Sequence, residues 1–195
     1  MAGRELFSKG KRGLIYTAAY KGKKAAIKVK NPESRAVERI KNEAQYLKKL
    51  NKYKIGPKFI SFRKNELMYE FVEGMFILDF IGKNAKKEIK MVVKDVFGQM
   101  FILDKLGIDK EEMHHPLKHV IVNSKNKTVL IDFERCHKTL KPKNVTQWCQ
   151  FLISYRRLLN KKGIKINKNR MIGLARNYKK NQNKTNMDKI IGGII

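Results

Sequence analysis

Three of the chain's four histidines fall within MHHPLKHVIV, residues 113 to 122, and the fourth, His137, follows closely. Imidazole changes charge near neutrality and is the commonest nitrogen ligand of metals. His114, His115, His119 and His137 are therefore candidates for moving protons or holding an ion. Downstream, HVIV–NSKNK–TVLIDF reads as a hairpin with a polar five-residue loop. If Asn123 faces Thr128, His119 faces Asp132, with Cβ atoms about 5 Å apart. Such a pair has the chemistry for a divalent metal, and equally for a simple ion pair. A second constellation lies upstream. Glu43 falls in the apolar stripe of a predicted helix, where a carboxylate is costly unless a cation meets it. Lys28 is the natural partner, because Ile27 and Val29 point to the opposite side of their strand.

These side chains need elements to hold them. RELFSK, GLIYTAAY and AAIKVK read as strands, the last two joined by a YKGKK turn. NPESRAVERIKNEAQYLKKLN then reads as an amphipathic helix with Ala36, Ile40, Leu47 and Leu50 on its apolar side. KFISFRKNELMYEFVEG reads as a hairpin turning at Lys64–Asn65. Residues 84 to 106 read as a longer helix, with Ile89, Val92, Val93, Val96, Met100, Leu103 and Leu106 on one stripe. NVTQWCQFLISYRRLL and NKNRMIGLARNYKKNQ read as two basic helices, and IIGGII as an apolar tail, docked or frayed.

The 195 residues are enough for one good core or two small lobes, and an apolar share of 42% is that of a globular chain. No apolar run reaches the length of about 18 residues needed to cross a membrane. MAGRELFSKGKRG lacks the apolar segment of a signal peptide, which argues against secretion. Cys136 and Cys149 have neither disulfide-framework nor zinc-site spacing, which fits a reducing, cytoplasmic setting. The formal charge is +28, and residues 138–195 hold 15 Lys or Arg against one acid, Asp188. RNA or another polyanion is the partner this third of the chain suits, mainly through point-charge contacts, since 35 of the 45 bases are Lys. The other reading is a Lys-rich solvated surface.

Strands followed by a helix, a glycine-containing first turn, a strand Lys and a helix Glu resemble the protein-kinase fold in a shortened form. The likeness is to the small serine/threonine protein kinases of archaea, akin to the RIO kinases and the kinase of the KEOPS complex. It implies a two-lobed α+β fold: residues 1–73 as an antiparallel sheet with one helix, and 74–195 as a reduced, mostly helical lobe. ATP with Mg²⁺ or Mn²⁺ would be the cofactors. FSKGKRGLI matches the glycine-rich loop, with Ser8 where the first Gly usually stands, then Gly10, Lys11, Arg12, Gly13 and Ile15. Glycines there let backbone amides approach phosphate oxygens. Lys28 matches the phosphate-gripping lysine and Glu43 its helix partner. LMYEFVEG resembles the hinge, with Tyr69 at the gatekeeper position and Glu70 and Val72 on the adenine edge. Asp132 in IDFE matches the metal-binding Asp, with Glu134 in place of the Gly. Counting back thirteen residues from Asp132 to the family's second metal ligand gives His119, and five further the catalytic-base position gives His114.

The departures are as informative. The catalytic Asp is replaced, the Gly after Phe133 is absent, and no Ala-Pro-Glu segment follows Asp132. His114 and Lys118 are the candidates to supply the missing base. The implied function is an atypical phosphotransferase (kinase) or ATPase, with a protein among its conceivable substrates. The alternatives are a nucleotide-binding scaffold without turnover, an RNA-binding module using its basic helices, and an unrelated histidine metalloenzyme.

Overall fold

The structure, a computed structural model, describes residues 3–34 and 38–194. The protein is α+β. Among the described residues it has a five-stranded antiparallel sheet, two small sheets and seven α-helices. The chain forms two compact units: Met1–Glu73 with Leu130–Cys136, and Gly74–Val129 with His137–Ile195. The division drawn from sequence kept everything after residue 74 together, whereas the short stretch around Asp132 packs with the first unit.

In the first unit, β1 (Glu5–Lys9), β2 (Gly13–Tyr20) and β3 (Lys23–Lys30) are followed by α1 (Arg39–Leu50). The strands β4 (Phe59–Arg63) and β5 (Glu66–Glu70) complete the sheet in the order β1-β2-β3-β5-β4. Two hairpins close on pairs of left-handed residues, Lys21–Gly22 and Lys64–Asn65, the second where the sequence placed it. Alternation along β3 separates two environments. Ala25 and Ile27 join Ala18 and Met68 in an apolar cluster on one face of the sheet. Ala26 and Lys28 therefore face the other way, and both are buried. Helix α1 buries Ile40, Glu43, Ala44, Leu47 and Leu50, the stripe that spacing predicts, Glu43 included. Ala36, expected on the same stripe, lies outside the described residues.

The second unit starts with β6 (Met75–Phe76), α2 (Ile77–Lys83) and α3 (Lys86–Lys105), whose buried face carries Ile89, Val92, Val93, Val96, Met100 and Leu103. Next come β7 (Ile108–Asp109), β8 (Val120–Val122), β9 (Thr128–Leu130) and β10 (His137–Lys138); β6, β8 and β9 form one small sheet, β7 and β10 another. The helices α4 (Asn144–Ser154), α5 (Arg156–Lys161), α6 (Lys168–Lys180) and α7 (Lys184–Gly192) finish the chain. No helix among the described residues is long and apolar enough to cross a membrane.

Two expectations change here and one open alternative is decided. First, the region expected to be one basic helix before residue 160 divides at Tyr155. Its first half, α4, carries no charged side chain and buries Trp148, Cys149, Phe151 and Leu152, so it is core. Second, the tail is docked rather than frayed: Ile190 in α7 is fully buried and Ile194 is 6% exposed. Third, the hairpin after the histidines closes earlier than expected. The Asn123 N–H donates to the Lys127 carbonyl, and the Asn123 side chain accepts from the N–H groups of Lys125 and Lys127. Asn126 takes the left-handed conformation that a three-residue loop needs. The Asn123–Thr128 register that set His119 opposite Asp132 therefore does not form.

Candidate functional site

Three acids of the first unit converge on one buried lysine. Lys28 is set on β3 opposite Ile15 of β2 and Leu67 of β5, which fixes its height along the sheet. Its ammonium donates to Glu43 Oε2 at 2.5 Å, to Asp132 Oδ1 at 3.0 Å and to Glu134 Oε2 at 3.4 Å. Three carboxylates thus surround one cation. Their ligand-capable oxygens lie within 4.8 Å of one another. A second cation, Arg12 from the β1–β2 turn, donates to Glu134 Oε1 at 3.0 Å.

Each side chain is positioned by local structure. Glu43 sits on the buried stripe of α1, and its second oxygen accepts the Phe133 N–H at 3.3 Å. Asp132 holds φ at +63°, a left-handed conformation uncommon outside Gly that Asn and Asp adopt more readily than most residues. Phe133 is fully buried. It packs so closely on Gly56, which itself has φ +81°, that a Cβ there would lie 2.9 Å from the ring and 2.7 Å from Leu47. Asn42 on α1 donates to the carbonyls of Glu134 and Cys136. Asn31 donates to the Gly10 carbonyl, and its own N–H goes to the Arg12 carbonyl, while Gly10 N–H meets Gly13 O at 2.9 Å. The glycine-containing turn is therefore pinned from β3's end.

The electrostatics follow from the imbalance. Burial alone would lower the Lys28 pKa, but the carboxylates of Glu43, Asp132 and Glu134 outweigh it and hold the ammonium charged well above the ordinary lysine value. Glu43 moves up from the usual carboxylate range: its burial, with Asp132 and Glu134 close by, exceeds the pull of one ammonium. Burial likewise raises the Tyr69 phenol strongly. A cluster with more carboxylates than cations favours a further positive charge, and hard oxygen donors suit Mg²⁺ or Mn²⁺.

Of the residues singled out by sequence, the structure brings together Arg12, Lys28, Glu43 and Asp132. Ser8, Gly10 and Lys11 are exposed on the β1–β2 arm, Ile15 is half-buried and Gly13 buried. Glu70, at the end of β5, lies 3.4 Å from Lys23, and Val72 follows it half-buried. The histidines belong to the second unit. There Met113 is buried and its N–H donates to Gln147 Oε1 on α4, leaving His114, His115 and Lys118 exposed on the loop. His119 Nε2 lies 3.9 Å from Glu112, and His137 Nδ1 lies 3.6 Å from Glu111. The carboxylates grouped with Asp132 are Glu43 and Glu134.

Sequence reasoning missed Glu134 as a site residue, treating it only as a replaced Gly. A second acid two residues from Asp132 was the available signal, although β9 ends at Leu130 and the left-handed turn at Asp132, not strand alternation, sets where the two acids go. It also missed Asn31 and Asn42, whose roles depend on carbonyls distant in sequence. Set against known proteins, the chain matches no family model, and no curated protein is similar enough to count as a relative.

Proposed function

We propose that the first unit binds the phosphates of ATP together with a divalent cation, Mg²⁺ or Mn²⁺, and that the chain is an atypical kinase-like phosphotransferase or ATPase. The observation that carries this reading is the convergence of Lys28, Glu43 and Asp132, three residues from a strand, a helix and a distant loop, on contacts of 3.0 Å or less. The sheet order, with its one long helix between β3 and β4, is what the resemblance to shortened protein kinases leads one to expect. Phosphoryl transfer depends mainly on positioning and charge neutralisation. Lys28 supplies a fixed cation for phosphate oxygens, held in place by Glu43. Asp132 and Glu134 supply oxygen ligands for the metal. The metal, when bound, neutralises charge on the phosphates. Amides around Gly10 and Gly13 face the phosphate chain, and Glu70 and Val72 the base. A protein hydroxyl is the acceptor class that the resemblance implies. A cytoplasmic setting goes with this reading, Cys136 and Cys149 both being buried thiols.

The test is calorimetric titration with a non-hydrolysable ATP analogue, with and without Mn²⁺. Binding is expected to require the metal, and Lys28→Ala is expected to weaken it by about 2–4 kcal/mol, the range for removing one partner of a desolvated charged contact. Equal affinity in wild type and Lys28→Ala would overturn the assignment of these residues.

A further inference from the structure

The bases of the C-terminal third are not spread over its helices. Residues 156–180 hold ten Lys or Arg and no Asp or Glu. Helix α4, before them, is uncharged and buried. The single acid beyond, Asp188, is in an ion pair with Lys184 within α7. The positive charge therefore concentrates on α5, α6 and the loop between them.

Helix α6 shows how it is presented. Its inner side buries Met171 and Tyr178, one seven-residue step apart. Its exposed residues are Lys168, Asn169, Arg170, Gly173, Arg176, Asn177, Lys179 and Lys180. Every one is a base, an amide or glycine. A helix solvated for its own sake usually mixes signs along its surface, because i,i+4 pairs of opposite charge stabilise it and like charges cost. Here like charges are tolerated across about 20 Å of helix. That arrangement makes sense against a partner that supplies the negative charge.

We infer that the exposed face of α6 docks on the sugar–phosphate backbone of a paired nucleic acid. The shape of the surface selects this partner. A membrane surface needs apolar side chains beside the bases, and the exposed face of α6 has none. A single strand needs aromatic platforms for stacking, whereas Trp148, Phe151 and Tyr178 are fully buried and Tyr155, before α5, is half-buried. What remains is a row of charges and amides, the groups that contact phosphates and sugars and fix a protein on a duplex. The inference stands apart from the nucleotide reading, since none of its residues belongs to the Lys28 cluster.

The test uses the full chain and fluorescence anisotropy with a labelled duplex, as RNA and as DNA of one sequence, across a salt series. A single strand and phosphatidylserine vesicles serve as competitors. Wild type is expected to bind the duplexes with a steep salt dependence. Arg176→Gln/Lys180→Gln, both at exposed positions, is expected to keep the melting temperature while losing roughly tenfold in affinity and about two units of the log–log salt slope. A preference for RNA would assign Asn169 and Asn177 to the 2′-hydroxyls; equal binding would assign backbone contact alone; both support the inference. Unchanged affinity and slope in the double variant would overturn the inference, as would tighter binding of single strands or vesicles.

Discussion

Lys28 Nζ and Asp132 Oδ1 lie 3.0 Å apart although 104 residues separate them in the chain. The contact exists because α1 delivers Glu43 to the same ammonium from one side and the 130–136 segment delivers two acids from the other. A single cation thereby ties three pieces of the first unit together.

Removing that cation is expected to do more than abolish one ion pair. Lys28→Met leaves Glu43, Asp132 and Glu134 facing one another, and breaking a buried pair this way typically costs about 3–5 kcal/mol. Urea denaturation measures it. Adding Glu43→Gln to the variant is expected to recover part of the loss, because one buried charge is then gone; a double variant less stable than Lys28→Met would contradict the shared-cation picture.

Glu134 sets a distinct expectation. It adds a third carboxylate where incoming phosphates would be repelled, and it engages Arg12 at 3.0 Å. Glu134→Gln is therefore expected to strengthen metal-free binding of a nucleotide and to reduce the gain that Mn²⁺ provides, by several-fold in each case. Calorimetry with and without the metal separates the two effects. Weaker metal-free binding in the variant would remove the repulsion argument.

Asp104 is the corresponding node of the second unit. Its carboxylate accepts the N–H groups of Asn144 and Val145 at the start of α4, the Asn144 side-chain amide and the Tyr178 hydroxyl of α6. Asp104→Ala would orphan those donors and is expected to cost about 2–4 kcal/mol, with Tyr178→Phe costing less, about 1 kcal/mol. Equal losses in chemical denaturation would show that the hydroxyl alone carries the node.

The buried acids also set a pH dependence. Burial raises Asp104 and Glu43 above their ordinary values of 3.8 and 4.5. The folded chain then holds protons that the unfolded chain releases, so these groups make stability fall as pH rises from those ordinary values to the folded ones. Lys28 acts at the other end: its raised pKa contributes stability fully below the ordinary 10.5, lost as pH climbs through the folded value. Melting temperatures in a series of buffers check both limbs, and Glu43→Gln is expected to flatten the acidic one. An acidic limb that Glu43→Gln leaves unaltered would mean that Glu43 is not among the raised carboxyls.

Gly56 tests the packing beneath Asp132. At φ +81°, with a would-be Cβ 2.7 Å from Leu47 and 2.9 Å from Phe133, Gly56→Ala is expected to cost about 2–4 kcal/mol from backbone strain and overpacking. It is also expected to weaken metal-dependent nucleotide binding, because the displaced Phe133 carries Asp132 and Glu134 with it. Full stability with full binding would show that the ring does not position those acids.

The sequence by itself determined what is periodic and local. Alternation in AAIKVK put Lys28 opposite the apolar face, helical spacing put Glu43 on the buried stripe, and two left-handed turn residues marked the Lys64–Asn65 hairpin; each depends on neighbours a few residues away. Tertiary structure decided the rest. Whether α4 was basic or core depended on which helices covered Trp148, not on the charges that follow it in sequence. The hairpin register turned on one side chain, Asn123, capping its own loop, which shifted pairing by a residue and moved His119 off Asp132's register. Glu134 became a site residue only because Arg12 and Lys28 reach it from segments 122 and 106 positions away. Contacts at that range are set by how packed layers close on one another, and no local pattern in the chain encodes them.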